Sequence, residues 1–392
     1  MTAESTDLSG LTLRETTTDT GDVCSGPFQQ TPFWAKFKAG HGWTARRFSV
    51  IRSCSDGTER EDGMSVLLRT FGKTPLKFTV AYIPMFPSFS MTGGSASDPD
   101  SGTAEFASFI RDIALALGKF LPRNTLCVRF DPDVEFSSPE LRDRFNSGMK
   151  LVSFADRLGI RKNRVDIQPP DSTYIDLALS QEQILAAMKP KWRYNVRLAS
   201  RKGVQVRRIS ADSPDFSGYL DSFYEIYRTT AGRDGIAIHA KSYYEDLLRL
   251  SAECASAGGN SPSVSLYVAE HEGDRLAAII TLFSPSESVY LYGCSSNEKR
   301  SLMPAYILQW TAICDAKEAG SLRYDLYGMP PTDDPSHPMH GLYLFKTGFG
   351  GVRLHRPGTF DVPLSLMYGP FCLAEAFRAF WHKKVLKKIR GR

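Results

Sequence analysis

Residues 263–294 read SVSLYVAEHEGDRLAAIITLFSPSESVYLYGC. Three runs rich in β-branched and aromatic residues, 263–270, 276–283 and 288–294, are separated by HEGD and by SPSE. Runs of that composition predict strands, and the breaks predict turns. The breaks are too short for a crossover, so the three strands should run antiparallel. PAYILQWTAICDAKEAG (304–320) comes next, a helix with Pro at its start and Gly at its end. LRYDLYG (322–328) is then a strand, which the helix permits to lie parallel to its neighbour.

The first half repeats this order. ARRFSVIR (45–52), MSVLLRTF (64–71) and LKFTVAYI (76–83) read as strands. Residues 103–121 carry Phe106, Phe109, Ile110, Ile113 and Leu117 at helical spacing, and LCVRF (126–130) closes the unit as a strand. The halves share element order but not sequence. A chain of 392 residues is comfortable for two domains. The expected fold class is therefore α/β (α+β), with two domains, each a mixed, mostly antiparallel sheet flanked by helices. Residues 28–43 predict a short helix begun at Pro32, and 180–188, 215–231 and 241–254 carry helical spacing. Ser180 and Gln183 have the spacing of a capping box. Residues 1–26 are polar and are expected to be poorly ordered.

Bulk composition narrows the classes. The chain is 42% hydrophobic and 23% charged, with a net charge of +5, so an anionic partner must be met by local patches. Seven scattered cysteines with no C-x-x-C pair fit a reducing cytosol better than disulfides or zinc. No apolar run reaches membrane-spanning length, and a cytoplasmic protein is expected. His337 and His340 have H-x-x-H spacing, but PPTDDPSHP around them predicts a rigid loop, and no metal is expected.

The repeated order is similar to the GNAT acyltransferase fold. A CoA enzyme of that fold needs a glycine-rich turn before its central helix, where backbone N–H groups hold pyrophosphate. Here the junction reads SSNEKRSLMPAY (295–306), without a glycine pair and with Pro304 removing a donor. Acyl transfer without CoA, and with no other cofactor, is the expectation.

Four blocks in order carry a more specific resemblance: QQTPFWAKFKAGHGW, KPKWRYNVRLASRKGV (189–204), TTAGRDG (229–235), and YDLYGMP followed by HGLYLFKTGFGG (340–351). Together they resemble the FemABX family, aminoacyl-tRNA-dependent peptidyltransferases that build peptidoglycan side branches. YIPMFP (82–87) departs from the family's Tyr-x-Pro-Arg-Gly-Pro pattern at Met85 and Phe86. The resemblance implies two GNAT-like domains, 1–170 completed by 358–392, and 171–357.

It also implies a reaction. The side-chain amine of a stem peptide's third residue attacks an amino acid esterified to tRNA, and the tetrahedral oxyanion must be stabilised. The acceptor is a muramyl pentapeptide, nucleotide- or lipid-linked. Phe345 and Lys346 match the family's catalytic pair, and Asp325 is a candidate to assist the amine. Lys38, or Lys36 two residues away, and Arg233 match phosphate-binding positions, with Tyr82 in the same cleft. Taken singly, Lys346 reads as a surface lysine before a turn, Phe345 as core, Arg233 as the partner of Asp234, and Lys38 as a solvated helix lysine.

As a helix, 190–203 places Arg193, Arg197 and Arg201 in one row, available to tRNA, with Trp192 packed inward. The basic tail, 374–392, is a candidate for contact with anionic lipid or tRNA, and a monomer is expected. The alternatives are a GNAT enzyme using another activated acyl donor and a non-catalytic RNA- or membrane-binding protein.

Overall fold

The computed structural model describes residues 5–8, 10–16, 26–53, 59–72, 77–258 and 261–380. The first sheet begins with β1 (Ser5–Leu8), β2 (Leu11–Thr16), β3 (Thr44–Ser53), β4 (Glu59–Phe71), β5 (Phe78–Ile83), β6 (Thr125–Phe130) and β7 (Arg161–Lys162). The second contains β8 (Asp171–Asp176), β9 (Gln205–Ile209), β10 (Ser263–His271), β11 (Asp274–Phe283), β12 (Ser288–Ser295), β13 (Arg323–Asp325) and β14 (Val352–His355). The chain then returns: β15 (Phe360–Pro363) inserts between β6 and β7 of the first sheet.

In the second sheet β10, β11 and β12 are successive antiparallel neighbours, and β12 pairs in parallel with β13. In the first sheet β3, β4 and β5 do the same, and β5 pairs in parallel with β6. The fold class is the expected one. Helix α1 (Pro32–Ala39) precedes β3, and α2 (Thr103–Leu117) makes the crossover from β5 to β6. Next come α3 (Pro139–Ala155), α4 (Gln181–Ala187), α5 (Pro190–Arg201), α6 (Phe216–Asp234) and α7 (Lys241–Ser256). The crossover from β12 to β13 is α8 (Pro304–Glu318), and α9 (His340–Thr347) and α10 (Tyr368–Phe380) lie beyond it. The Ser180–Gln183 capping box is formed in both directions.

Each sheet packs its helices through its own core. Phe48, Val66 and Phe130 of the first sheet meet Phe106 and Ile110 of α2 and Phe145 of α3. One face of the second sheet packs against α6 and α7, the other against α5 and α8. The aromatic side of α1, Phe33, Trp34 and Phe37, joins the α6–α7 core, with Phe37 4.8 Å from the ring of Tyr243. A helix that lies among the first sheet's strands in the chain therefore contributes to the core of the second.

One expectation is corrected. Residues 5–16, read as poorly ordered from their polar composition, include the antiparallel pair β1–β2, and β2 pairs with β3. Leu11 and Leu13 alternate onto the core, and that alternation fixes the strand although the segment is polar overall. Cys24, Cys54 and the basic residues of the tail beyond Phe380 lie outside the described residues.

The corrected hairpin can be tested. Leu13 has no exposed surface, so Leu13→Ala should cost about 2–5 kcal/mol in urea unfolding. An unchanged midpoint would mean that this strand is peripheral.

Candidate functional site

The site is built where β13 ends. Tyr327 adopts a left-handed backbone, φ +60, unusual for a residue with a side chain. Asp325 stabilises it by accepting the Tyr327 N–H at 2.7 Å. The Ser172 hydroxyl also donates to Asp325, and Arg356 Nη2 lies 3.5 Å away. This bend points two consecutive carbonyls at Lys346 of α9. Lys346 Nζ donates to Tyr327 O at 3.0 Å and Gly328 O at 2.8 Å, and sits 5.0 Å from the centre of the Tyr290 ring. Burial pushes the Lys346 amine down to about 7, and the charge of Asp325 opposes the fall.

Asp325 was expected to assist the attacking amine directly. Its carboxylate is 1% exposed and committed to Ser172, Tyr327 and Arg356. In the structure its contacts are with the loop, and its charge acts on Lys346.

Tyr82 comes to the same place from the first sheet. Its hydroxyl donates to Asp131 at 2.5 Å and accepts from Gln168 Nε2 at 3.0 Å. Gln168 Oε1 accepts from the Tyr327 hydroxyl at 2.7 Å. One glutamine thus ties Tyr82 to the residue whose carbonyl holds Lys346. Beside Tyr82, with ring centres 6.0 Å apart, is Trp43.

Lys38 lies over Trp43, Trp34 and Tyr243, its Nζ 5.6–5.8 Å from the three ring centres. Burial and then Arg69 lower its pKa to about 8. Among the described residues no carboxylate pairs with Lys38, so its charge is available to an anion. Lys36 points elsewhere, exposed, 3.9 Å from Glu253. Of the two lysines, Lys38 is the one in the aromatic cleft.

The other candidates lie differently. Arg233, at the end of α6, contacts Asp234 through two donors, Ser295 O at 3.2 Å and Asn297 at 3.1 Å. It fastens α6 to the end of β12, and a phosphate would have to compete with those partners. Arg193 does not share the free row expected for it. Its Nη1 donates to Ala186 O at 2.7 Å and to Leu185 O at 3.4 Å, closing the end of α4. Arg197 and Arg201 are exposed.

Phe345 packs with Tyr306 and Phe349, ring centres 5.4 and 5.3 Å away, and its carbonyl accepts the Trp192 indole N–H at 2.9 Å. Trp192 is packed inward as expected. Its ring fills the space over Gly348, where a Cβ would lie 2.1 Å from it. Gly350 has φ +82 against the backbone of Ala187. The basic helix and the FKTGFGG segment are therefore one packed unit.

A cavity of about 430 Å³ opens beside Met85 and Phe86, with Glu61, Asp62, Asp133 and Arg47 in its lining. Three carboxylates make it a poor phosphate pocket. His337 accepts the N–H of Met339, and His340 Nδ1 lies 3.4 Å from Asp333. Among the described residues no cluster of three or more His, Cys, Asp or Glu side chains could hold a metal. Gln168 and Tyr243 had no signal in the sequence beyond their residue type, and Trp43 and Tyr327, though inside quoted motif blocks, were not singled out.

The Trp192 contact predicts an asymmetry on α9. Gly348→Ala should cost about 1–3 kcal/mol by overpacking and should lower turnover by displacing Lys346. Gly341→Ala, with open space around its Cβ, should be neutral or slightly stabilising. Equal melting temperatures for the two variants would dismiss the packing argument.

The profile of the FemAB family matches residues 11–255 and 264–375. The chain is 26% identical over 403 aligned residues to the lipid II:glycine glycyltransferase of Staphylococcus aureus (strain COL), covering 87% of this chain and 89% of the relative. The counterpart from strain USA300 is equally similar. The crystal structure of FemX superposes with a TM-score of 0.67 at 21% identity, covering 92% of this chain and 98% of FemX. Apart from β1 and the first residue of β10, both sheets fall inside the matched segments, as do the aromatic cleft and the Lys346 loop, and the chain belongs to the FemAB family.

Proposed function

We propose that the protein is an aminoacyltransferase that moves an amino acid from aminoacyl-tRNA to the side-chain amine of a muramyl-peptide precursor. The observation that carries this reading is the link Tyr82–Gln168–Tyr327–Lys346, which joins candidate residues of both sheets in one cleft. The relatives' glycyl transfer onto lipid II supports an aminoacyl group as cargo and a peptidoglycan precursor as acceptor. We assign residues 1–170 with 358–392 to the first domain and 171–357 to the second. The acceptor's phosphates would lie near Lys38, and the enzyme would work in the cytoplasm, at the inner face of the membrane when the acceptor is lipid-linked.

The chemistry asks little of nucleophilic side chains, because the ester is already activated. The acceptor amine attacks the ester carbonyl, the C–N bond forms, and a tetrahedral oxyanion develops. Collapse expels the ribose oxygen, which takes up a proton, while the new ammonium loses one. Lys346, as an ammonium, would stabilise the oxyanion in a site with little water. Tyr327 and Gly328 hold it in place, and Phe345 would shape the wall beside it.

The direct test offers the protein a mixed pool of charged tRNAs with a UDP-muramyl pentapeptide, then with a lipid-linked acceptor. A mass increase of one aminoacyl residue on the peptide is expected. No product with either acceptor sinks the proposal, and CoA-dependent turnover without tRNA would favour the other acyl-donor reading.

The pH dependence tests the role of Lys346. The acceptor amine, with an ordinary pKa of about 10.4, must be neutral to attack. Lys346 must be charged, and loses its proton near 7. The product of the two fractions makes log kcat/KM climb with slope one below about 7 and level above it. In the residual activity of Lys346→Gln the climb should continue through that pH. A slope of two below the bend would instead make neutral Lys346 a general base.

For tRNA, Arg197→Glu with Arg201→Glu should weaken binding and reduce its logarithmic salt slope by about one per lost phosphate contact. Arg193→Glu should lower stability instead, since Arg193 closes α4. An unchanged tRNA affinity in the double variant would leave the α5 surface merely solvated.

A further inference from the structure

From Leu366 to Phe377, through most of α10, the outward face is apolar, and a surface helix ordinarily turns charge to water. The inward face is accounted for. Tyr368 donates to Asp361 at 2.9 Å, Phe371 packs 5.3 Å from the Phe78 ring, and Glu375 pairs with Arg129 at 3.0 Å. Outward stand Leu366, fully exposed, Met367 at 60%, Leu373 at 75% and Phe377 at 65%. Pro370 and Ala374 are exposed between them. Every exposed residue described from 366 to 377 is apolar or glycine. Single exposed leucines are ordinary, but a continuous row marks a contact surface.

The sequence at the end of this helix and beyond it indicates the partner. Residues 378–392 contain seven Lys or Arg and no Asp or Glu. The whole chain has a net charge of +5, so the remainder is net acidic by two. An apolar row continued by the chain's concentrated positive charge matches an anionic lipid surface, with acyl chains for the row and phosphate headgroups for the lysines. A second copy of the chain would bring two such basic segments together. Among the described residues no helix is long and apolar enough to cross a membrane, so the contact would be peripheral. We propose that the apolar row from Leu366 to Phe377 is a docking surface for an anionic bilayer, independently of the transfer reaction.

Flotation of the full chain with phosphatidylcholine vesicles, with and without phosphatidylglycerol, tests this. Binding to the anionic vesicles should be stronger by on the order of tenfold or more, and salt should weaken it. Leu366→Glu with Leu373→Glu should remove most of that binding. So should Lys383→Gln, Lys384→Gln, Lys387→Gln and Lys388→Gln combined. Both variants should keep the wild-type melting temperature and turnover on a soluble acceptor. Absent binding, or equal and salt-insensitive binding to both vesicles, would overturn the proposal. So would a dimer in sedimentation that Leu373→Glu dissociates, since the face would then be an interface between copies.

Discussion

The Lys346 ammonium is held by two main-chain carbonyls and an aromatic ring, not by a carboxylate in direct contact. A buried cation without an ion-pair partner is costly unless fixed dipoles replace its water. Tyr327 O and Gly328 O can converge on one nitrogen because Tyr327 is left-handed, a conformation costing roughly 1–2 kcal/mol for a residue with a Cβ. The surroundings hold that bend from three sides. Asp325 takes its N–H, Gln168 takes its hydroxyl, and Lys346 itself ties the carbonyl. Removing any one loosens the others, so the loop behaves as a unit whose parts come from both sheets.

The lysine also has to arrive at the right height, which is a packing matter. α9 is pressed against α5, with Trp192 over Gly348 and its indole N–H on the Phe345 carbonyl. The Lys189 N–H donates to Gly348 O at 2.9 Å. The stretch whose arginine row reads as available to tRNA is first a clamp on the helix bearing the candidate catalytic lysine. Its exposed arginines are the part left over from that duty.

The paired β-β-β-α-β units were legible because each signal was local. Pro304 opens α8, and Gly320, with φ +82, comes just after its end. The runs of β10 to β12 were apolar enough to stand out. β8 was not legible. Its residues Asp171, Ser172 and Thr173 are buried and polar, yet it lies between β13 and β14. Hydropathy cannot find a strand whose interior groups are satisfied by partners far along the chain, such as Ser172 by Asp325. The site divides in the same way. Lys346, Lys38 and Tyr82 were singled out as candidates through motifs, whereas Gln168 joins them only where the two sheets meet. Arg193 was misread because helical spacing tells which face a side chain shares, not that carbonyls of a neighbouring helix wait there.

Behind Lys346 the junction between the two sheets is built from charge. Glu135, after β6, accepts both Nη groups of Arg323 at 2.7 and 2.8 Å and Arg356 Nη2 at 2.9 Å. Arg323 also reaches Glu287 at 2.6 Å. Glu135, Glu287, Asp325 and Asp133 face Arg323, Arg356 and Lys346, so the carboxylates outnumber the cations by one when all seven are charged, and burial, then Glu135, raises Asp133 to about 6. Burial, then Asp325, raises Glu287 to about 7. Its raised pKa favours the folded state below the unfolded value, and that contribution fades as pH rises towards 7. Lys346 has the opposite sense: with its folded pKa lowered, it adds stability as pH climbs from about 7 towards its unfolded value. The two terms meet near neutrality. Stability there changes little with pH from this cluster, while the charge on Lys346, on which the proposed chemistry depends, changes most.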